Sequence, residues 1–207
     1  MKPKLPSLYS PKTPEDIIGP AGQIALELQR AVRDARASDN APLKVLFAGD
    51  AGTGKSTLAQ FLIRELGIDS KWSIKKYSGV DVDIEKVRDI AADLHYKDLF
   101  GAYRVIWVEE ADAIPHAAQT RFLLLMDDLP PGCAVICTTN CKSDDFKSRF
   151  QTRFKFYEVE APAPHEIEGL LSRWVPNRRD VVNIATFACG NVRAALLDAE
   201  RLMQAAA

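Results

Sequence analysis

Residues 43–57 read LKVLFAGDAGTGKST. Leu43 to Ala48 is a short, nearly continuous apolar run, the pattern of a strand covered on both faces in a parallel sheet. Gly49, Asp50, Ala51, Gly52, Thr53, Gly54, Lys55 and Ser56 then satisfy G-x-x-x-x-G-K-[ST], followed by Thr57. Glycines let backbone N–H groups turn inward around phosphate oxygens, and the following helix N-terminus adds the positive end of its dipole. Lys55 is expected to reach the β and γ oxygens, and Ser56 to offer its hydroxyl to magnesium. A strand, loop and helix of this kind are expected to hold ATP with Mg2+ between Gly49 and Thr57.

Ser56 to Leu66 shows helical periodicity and stops at Gly67, a suitable C-terminal cap. Downstream, Val105 to Val108 and Ala134 to Thr138 are two more buried strands, with helices predicted at Asp83 to Leu94 and Ala117 to Leu129. Upstream, Ile24, Leu28, Ala31, Val32 and Ala35 recur at helical spacing. Before them, Pro3, Pro6, Pro11, Pro14 and Pro20 predict an extended arm. Strands alternating with helices indicate an α/β fold, a three-layer phosphate-loop NTPase with a mainly parallel sheet, expected to cover residues 1–160. After a last short strand at Tyr157 to Val159, Ala161-Pro162-Ala163-Pro164 reads as a stiff hinge. Beyond it, His165 to Trp174, Arg179 to Ala188 and Asn191 to Gln204 predict a small helical lid over residues 161–207.

The 207 residues are 47% apolar and 27% charged, enough to bury a core. Lys and Arg number 27 against 28 for Asp and Glu, so the net charge of -1 exerts no global pull on nucleic acid or an anionic membrane. No apolar run approaches the roughly 20 residues of a membrane span, and the start lacks the apolar centre of a signal peptide, so a cytoplasmic protein is expected. Cys133, Cys137 and Cys141 are spaced by four, but they lie in a strand and turn and lack the Cys-x2-Cys pairs of structural zinc. They read as plain thiols.

Phosphate-loop chemistry needs a carboxylate at the end of a neighbouring strand. Glu109 and Glu110, directly after Val105 to Val108, supply two. Glu109 is expected to face the magnesium shell and Glu110 to polarise the attacking water, whose placement carries most of phosphoryl transfer.

With both motifs in hand, the chain resembles AAA+ ATPases, and within them the clamp-loader (replication factor C) group. Tyr9-Ser10-Pro11 through Asp16-Ile17-Ile18-Gly19 is similar to that group's N-terminal segment, which implies that Ile17 and Ile18 border the adenine. Glu109-Glu110-Ala111-Asp112 resembles the D-E-A-D Walker B element with its first Asp lengthened to Glu. Thr138-Thr139-Asn140 matches sensor 1, which implies that Asn140 reaches the γ-phosphate or the water. Gln151-Thr152-Arg153-Phe154 resembles a motif whose arginine is offered to the ATP of the neighbouring subunit, so Arg153 is the favoured finger. Ser148-Arg149-Phe150 is a competing match. Gly190-Asn191-Val192-Arg193 resembles sensor 2, which implies that Arg193 lies over the γ-phosphate.

The departures bear on function. Clamp loaders continue into a helical collar, and the sequence stops after the lid, so assembly through a collar of its own is not expected. Leu123 and Leu124 stand where that group carries paired arginines linking DNA and neighbouring subunits to the ATP site. The basic run Lys71-Trp72-Ser73-Ile74-Lys75-Lys76, with Lys142 and Lys147, is either a DNA path or a solvated face. The resemblance implies an ATPase acting as a homo- or hetero-oligomer with intersubunit ATP sites, driving DNA or a DNA-bound protein. The alternatives are a remodeller of a protein partner without nucleic acid, and an adaptor that hydrolyses ATP poorly because Glu109 is one bond longer than Asp.

Overall fold

The computed structural model describes residues 9, 11–68, 71–95, 103–141 and 144–205. In chain order its regular elements are α1 (Pro20–Ala37), β1 (Leu43–Ala48), α2 (Lys55–Glu65), β2 (Ile74–Ser78), α3 (Ile84–His95), β3 (Arg104–Glu109) and α4 (His116–Leu125). There follow β4 (Cys133–Thr139), α5 (Asp144–Gln151), β5 (Lys155–Glu158), α6 (Pro164–Leu171), α7 (Arg178–Phe187) and α8 (Val192–Ala205). The five strands form one sheet in the order β2-β3-β4-β1-β5, and each pairing is parallel. The fold is the α/β phosphate-loop architecture that the alternation of strands and helices implies.

The central strands look as they do because both of their faces are covered. Every residue of β4 is buried, as are the last four of β1. A continuous apolar run is what such a position selects. The helices at 55–65, 84–95 and 116–125 fall within a few residues of their apolar periodicities, although the helix expected to reach Leu129 ends at Leu125. Met126–Asp128 continues it as a 3-10 turn.

Three features depart from the sequence pattern. β2, with the sequence IKKYS, is an edge strand whose residues are half-buried or exposed. Charge is tolerated there because one side of an edge strand faces solvent. α5 is polar by composition, yet Phe146 and Phe150 sit one turn apart on its inner face, with ring centres 4.4 Å apart, and Phe154 lies 5.6 Å beyond. The proline-rich arm is not extended throughout: Pro14–Asp16 forms a 3-10 turn with proline at its first position, where the missing N–H costs nothing. The Asp16 carboxylate closes that turn by accepting from Lys12 N at 2.9 Å and Thr13 N at 3.0 Å.

The chain divides into two compact units. One, Glu27–Ala48 and Leu62–Glu158, holds the sheet. Its core joins Leu46, Ile106, Val108 and Val135 of the strands to Ile90, Phe122 and Phe150 of the helices. The other comprises the arm, Gly49–Phe61 and Val159–Ala207. There α6, α7 and α8 enclose Ile167, Leu170, Val181, Ala185 and Leu196, and Tyr9 and Ile18 of the arm are packed against them. Tyr9 donates its hydroxyl to Asp16 O at 2.9 Å, and burial pushes the phenol above its ordinary pKa. Asn177 caps α7 by accepting from Arg179 N, an arrangement worth about 1 kcal/mol.

Candidate functional site

The phosphate loop lies in the unit with the arm and the C-terminal helices. Gly52 has φ +80°, which strains any residue with a Cβ, and a Cβ built on it would fall 1.8 Å from Asn191 Oδ1 and displace that amide. The same Asn191 oxygen accepts from Ala194 N at 3.0 Å, capping α8. Val192 N donates to Gly52 O at 3.0 Å. The start of α8 is thereby fastened to the loop by a backbone hydrogen bond, and Arg193, exposed, is the next residue.

Lys55 is buried, at 8% exposure. Its Nζ donates to Gly49 O at 2.9 Å and Asp50 O at 2.7 Å, which holds the ammonium over the loop. Thr53 Oγ1 donates to Asp50 O at 3.0 Å and stiffens the turn from within. A loop whose glycines at 49, 52 and 54 all have positive φ, with a buried ammonium held over it, fits a polyphosphate. Ser56 and Thr57, half-buried, follow at the first turn of α2. In the arm, Ile17 is buried, whereas Ile18 is partly buried against the core of α6–α8.

The residues of the acidic motif lie in the sheet unit. Val108 of β3 is in register with Cys137 of β4, so the carboxyl ends of both strands reach the same edge of the sheet. Glu109 Oε2 is 2.9 Å from Lys76 Nζ, and that ammonium stands 4.1 Å over the Trp107 ring. A carboxylate on a strand end and a serine hydroxyl are hard oxygen donors, the kind that Mg2+ accepts. Glu110 is exposed and adopts a left-handed backbone, φ +53° and ψ +52°, which costs a residue with a Cβ roughly 1 kcal/mol. Its carbonyl accepts from Ala113 N at 2.8 Å. A Cβ on Gly79 would come within 2.0 Å of that carbonyl oxygen, so glycine at 79 is what lets the Glu110 turn fit.

Thr139 joins the two strand ends. It donates its hydroxyl to Asp112 and accepts from Cys141 N at 2.9 Å, which pins the turn carrying the exposed Asn140. Thr139 and Asp112 stand inside Thr138-Thr139-Asn140 and Glu109-Glu110-Ala111-Asp112, and nothing in either motif announces that the two are hydrogen-bonded. Lys76 stands in the sequence as one member of a basic run.

The two finger candidates line one open cleft of about 400 Å3 between α4 and α5, together with Thr120, Leu123, Leu124 and Thr152. Arg149 donates to Gln119 Oε1 at 3.0 Å, and the buried Gln119 donates in turn to Ile114 O at 2.8 Å. Arg153, in the turn after α5, donates through Nε to both Asp127 oxygens at 3.1 and 3.2 Å. Arg149 is thus built into the wall, and Arg153 is held by a surface carboxylate. The two leucines have separate fates: Leu123 is buried in the core and Leu124 is 56% exposed.

Among the described side chains the basic run makes no continuous patch. Lys75 and Lys76 are neighbours on β2 and point to opposite faces. Lys75 pairs with Asp93, Lys76 with Glu109, and Lys147 with Glu158. Lys142 lies outside the described residues. The thiols of Cys133 and Cys137 are buried in the core of β4, and burial raises both, Cys133 to about 11. No described helix is long and apolar enough to cross a membrane.

The profile of the ATPase family associated with various cellular activities (AAA) matches residues 45–160. The chain is similar to the replication factor C small subunit of Halobacterium salinarum, 29% identical over 202 residues, covering 91% of this chain and 59% of that protein. It is also 29% identical over 189 residues to the Holliday junction branch migration complex subunit RuvB of Paramagnetospirillum magneticum, covering 79% of this chain and 49% of that one. Among solved structures, the Thermotoga maritima RuvB Holliday junction branch migration motor aligns with a TM-score of 0.72 at 22% identity, covering 95% of this chain and 65% of that one. The chain therefore spans about half to three fifths of the length of these curated relatives.

Proposed function

This chain belongs to the AAA family of ATPases, and from that premise we propose that it binds ATP with Mg2+, hydrolyses it, and works in the cytoplasm as an oligomer whose sites are completed by a neighbouring subunit. In this reading residues 1–160 are the nucleotide-binding domain with its arm, and 161–207 a helical lid. The backbone of Gly49 to Gly54 and the Lys55 ammonium hold the phosphates. Lys55 exchanges the carbonyls of Gly49 and Asp50 for phosphate oxygens. Ser56 and Glu109 are the donors that fit Mg2+, which when bound neutralises phosphate charge. Glu110 orients the attacking water, Asn140 holds the γ-phosphate, and Ile17 and Ile18 flank the base. Arg193 answers from the lid, and Arg153 reaches the ATP of the next subunit, where it offsets charge developing in the transition state.

The observation that carries this reading is the buried Lys55 ammonium held over a loop in which Gly49 and Gly52 have positive φ and a Cβ on Gly49 would meet the Val159 carbonyl oxygen at 2.3 Å. Arg153 is preferred over Arg149 because its partner is a partly exposed carboxylate, whereas Arg149 is anchored through buried Gln119. The test is ATP turnover against protein concentration. Specific activity rises with concentration if a neighbour supplies the finger; a flat profile, or full activity in Arg153→Ala, rules the shared site out.

The likeness to replication factor C and RuvB supports DNA or a DNA-bound protein as the driven partner. A second reading, remodelling of a protein partner without nucleic acid, is favoured by the pairing of Lys75, Lys76 and Lys147 with acids. Stimulation of turnover by duplex or primed DNA, falling steeply with salt, supports the first. Absence of both binding and stimulation supports the second.

A further inference from the structure

Resting on the reading of Glu109 as the acid that serves the metal of a bound nucleotide, we infer that Lys76 is a resident counter-charge on that acid and sets how much magnesium the site requires. Lys76 and Trp107 are direct partners across β2 and β3. Glu109 is two residues beyond Trp107 and so emerges on the same face of the sheet. The Lys76 ammonium is therefore gripped from two sides, by the Glu109 carboxylate at 2.9 Å and by the Trp107 ring at 4.1 Å. The ring is itself a fixed wall, 5% exposed, and its π face attracts a cation.

A divalent cation that approaches Glu109 meets a carboxylate already neutralised by contact with an ammonium. Either the two cations share the carboxylate and repel each other, or Lys76 leaves and gives up both of its partners. Each route weakens magnesium binding relative to an unpaired carboxylate. The Lys76 and Glu109 side chains are 48% and 34% exposed, so water screens the repulsion. At about 6 Å in a water-like dielectric, it amounts to a threefold to roughly tenfold change in affinity. Lys76 is a positioning residue in this scheme: it acts through Glu109 and touches no reacting atom.

The experiment uses the full chain carrying Trp72→Phe and Trp174→Phe, which leaves Trp107 as the one remaining tryptophan of three. Mg2+ is titrated in the presence of a non-hydrolysable β,γ-imido analogue of ATP. Nucleotide binding is followed by calorimetry and Trp107 by its emission. The unsubstituted Lys76 protein should change Trp107 emission as Mg2+ saturates, because the ammonium shifts on the ring. Lys76→Met should lose that change and reach half-saturation at a magnesium concentration lower by about threefold to tenfold. Lys76→Arg, which keeps the charge over the ring, should restore the higher requirement, and Lys76→Gln carries the same test if the methionine variant does not fold. Normal nucleotide binding with an unchanged magnesium requirement in the charge-removing variants overturns the inference. Failure of the unsubstituted protein to bind the analogue at any Mg2+ concentration instead overturns the nucleotide reading on which it rests.

Discussion

Arg153 and Asp127 are 26 residues apart in the chain and joined by two hydrogen bonds, a partnership that no motif in the sequence announces. Their side chains are 30% and 48% exposed, and an ion pair this wet contributes at most about 1 kcal/mol. It is easily exchanged when a phosphate group comes within reach of the guanidinium. Asp127→Asn should therefore leave the urea midpoint nearly unchanged and raise turnover at low protein concentration, since Arg153 no longer has to abandon a carboxylate. Arg153→Ala should lower turnover by roughly 10³ or more with little effect on nucleotide affinity, measured by separate hydrolysis and binding assays. The cysteines divide in a way that spacing alone does not reveal. Cys133 and Cys137 are core thiols with raised pKa, and Cys189 is exposed. A maleimide at pH 8 should modify Cys189 in the folded protein and leave Cys133 and Cys137 to be modified only after unfolding, as peptide mass mapping would show.

Among the elements, the strands that carry the site were legible because burial on both faces demands unbroken apolar runs. β2 was not, because an edge strand with two ion-paired lysines has no such run. α5 was hidden by its polar composition, its helical face resting on Phe146 and Phe150 alone of its large apolar residues. The turn at Glu110 illustrates what lies beyond any pattern: the glycine that permits it, Gly79, is in a different element. Gly79→Ala should cost roughly 1–3 kcal/mol in a urea melt, because the methyl group meets backbone atoms that cannot swing aside. Gly52→Ala should be costly for two reasons, the clash with Asn191 and the positive φ. Adding Asn191→Gly should relieve only the first, so a double-mutant cycle will recover part of the loss. In the arm, the Lys12 and Thr13 backbone N–H groups hold the Asp16 carboxyl below its usual range. A carboxyl lowered on folding stabilises above its unfolded pKa of about 3.8 and loses that contribution as pH falls through the folded value. The stability gap between the parent and Asp16→Asn should hold from neutral pH to about 5 and close in more acid solution.

For the whole molecule, the alternation of strand and helix was sufficient to identify a parallel α/β fold, and the family match over residues 45–160 agrees with it. The division into two compact units was not readable from chain order, because one of them gathers the arm, Gly49–Phe61 and the C-terminal helices from three separate stretches. β1 pairs with β4 and β5, both made much later. On a ribosome its apolar run waits on the order of ten seconds for Cys133–Thr139 to be made, exposed to whatever else is sticky in the meantime. The strand that introduces the phosphate loop is thus the one most in need of a chaperone's cover. A chain halted before β4 would keep its nucleotide motif and the β2–β3 ladder, with β1 joined to neither.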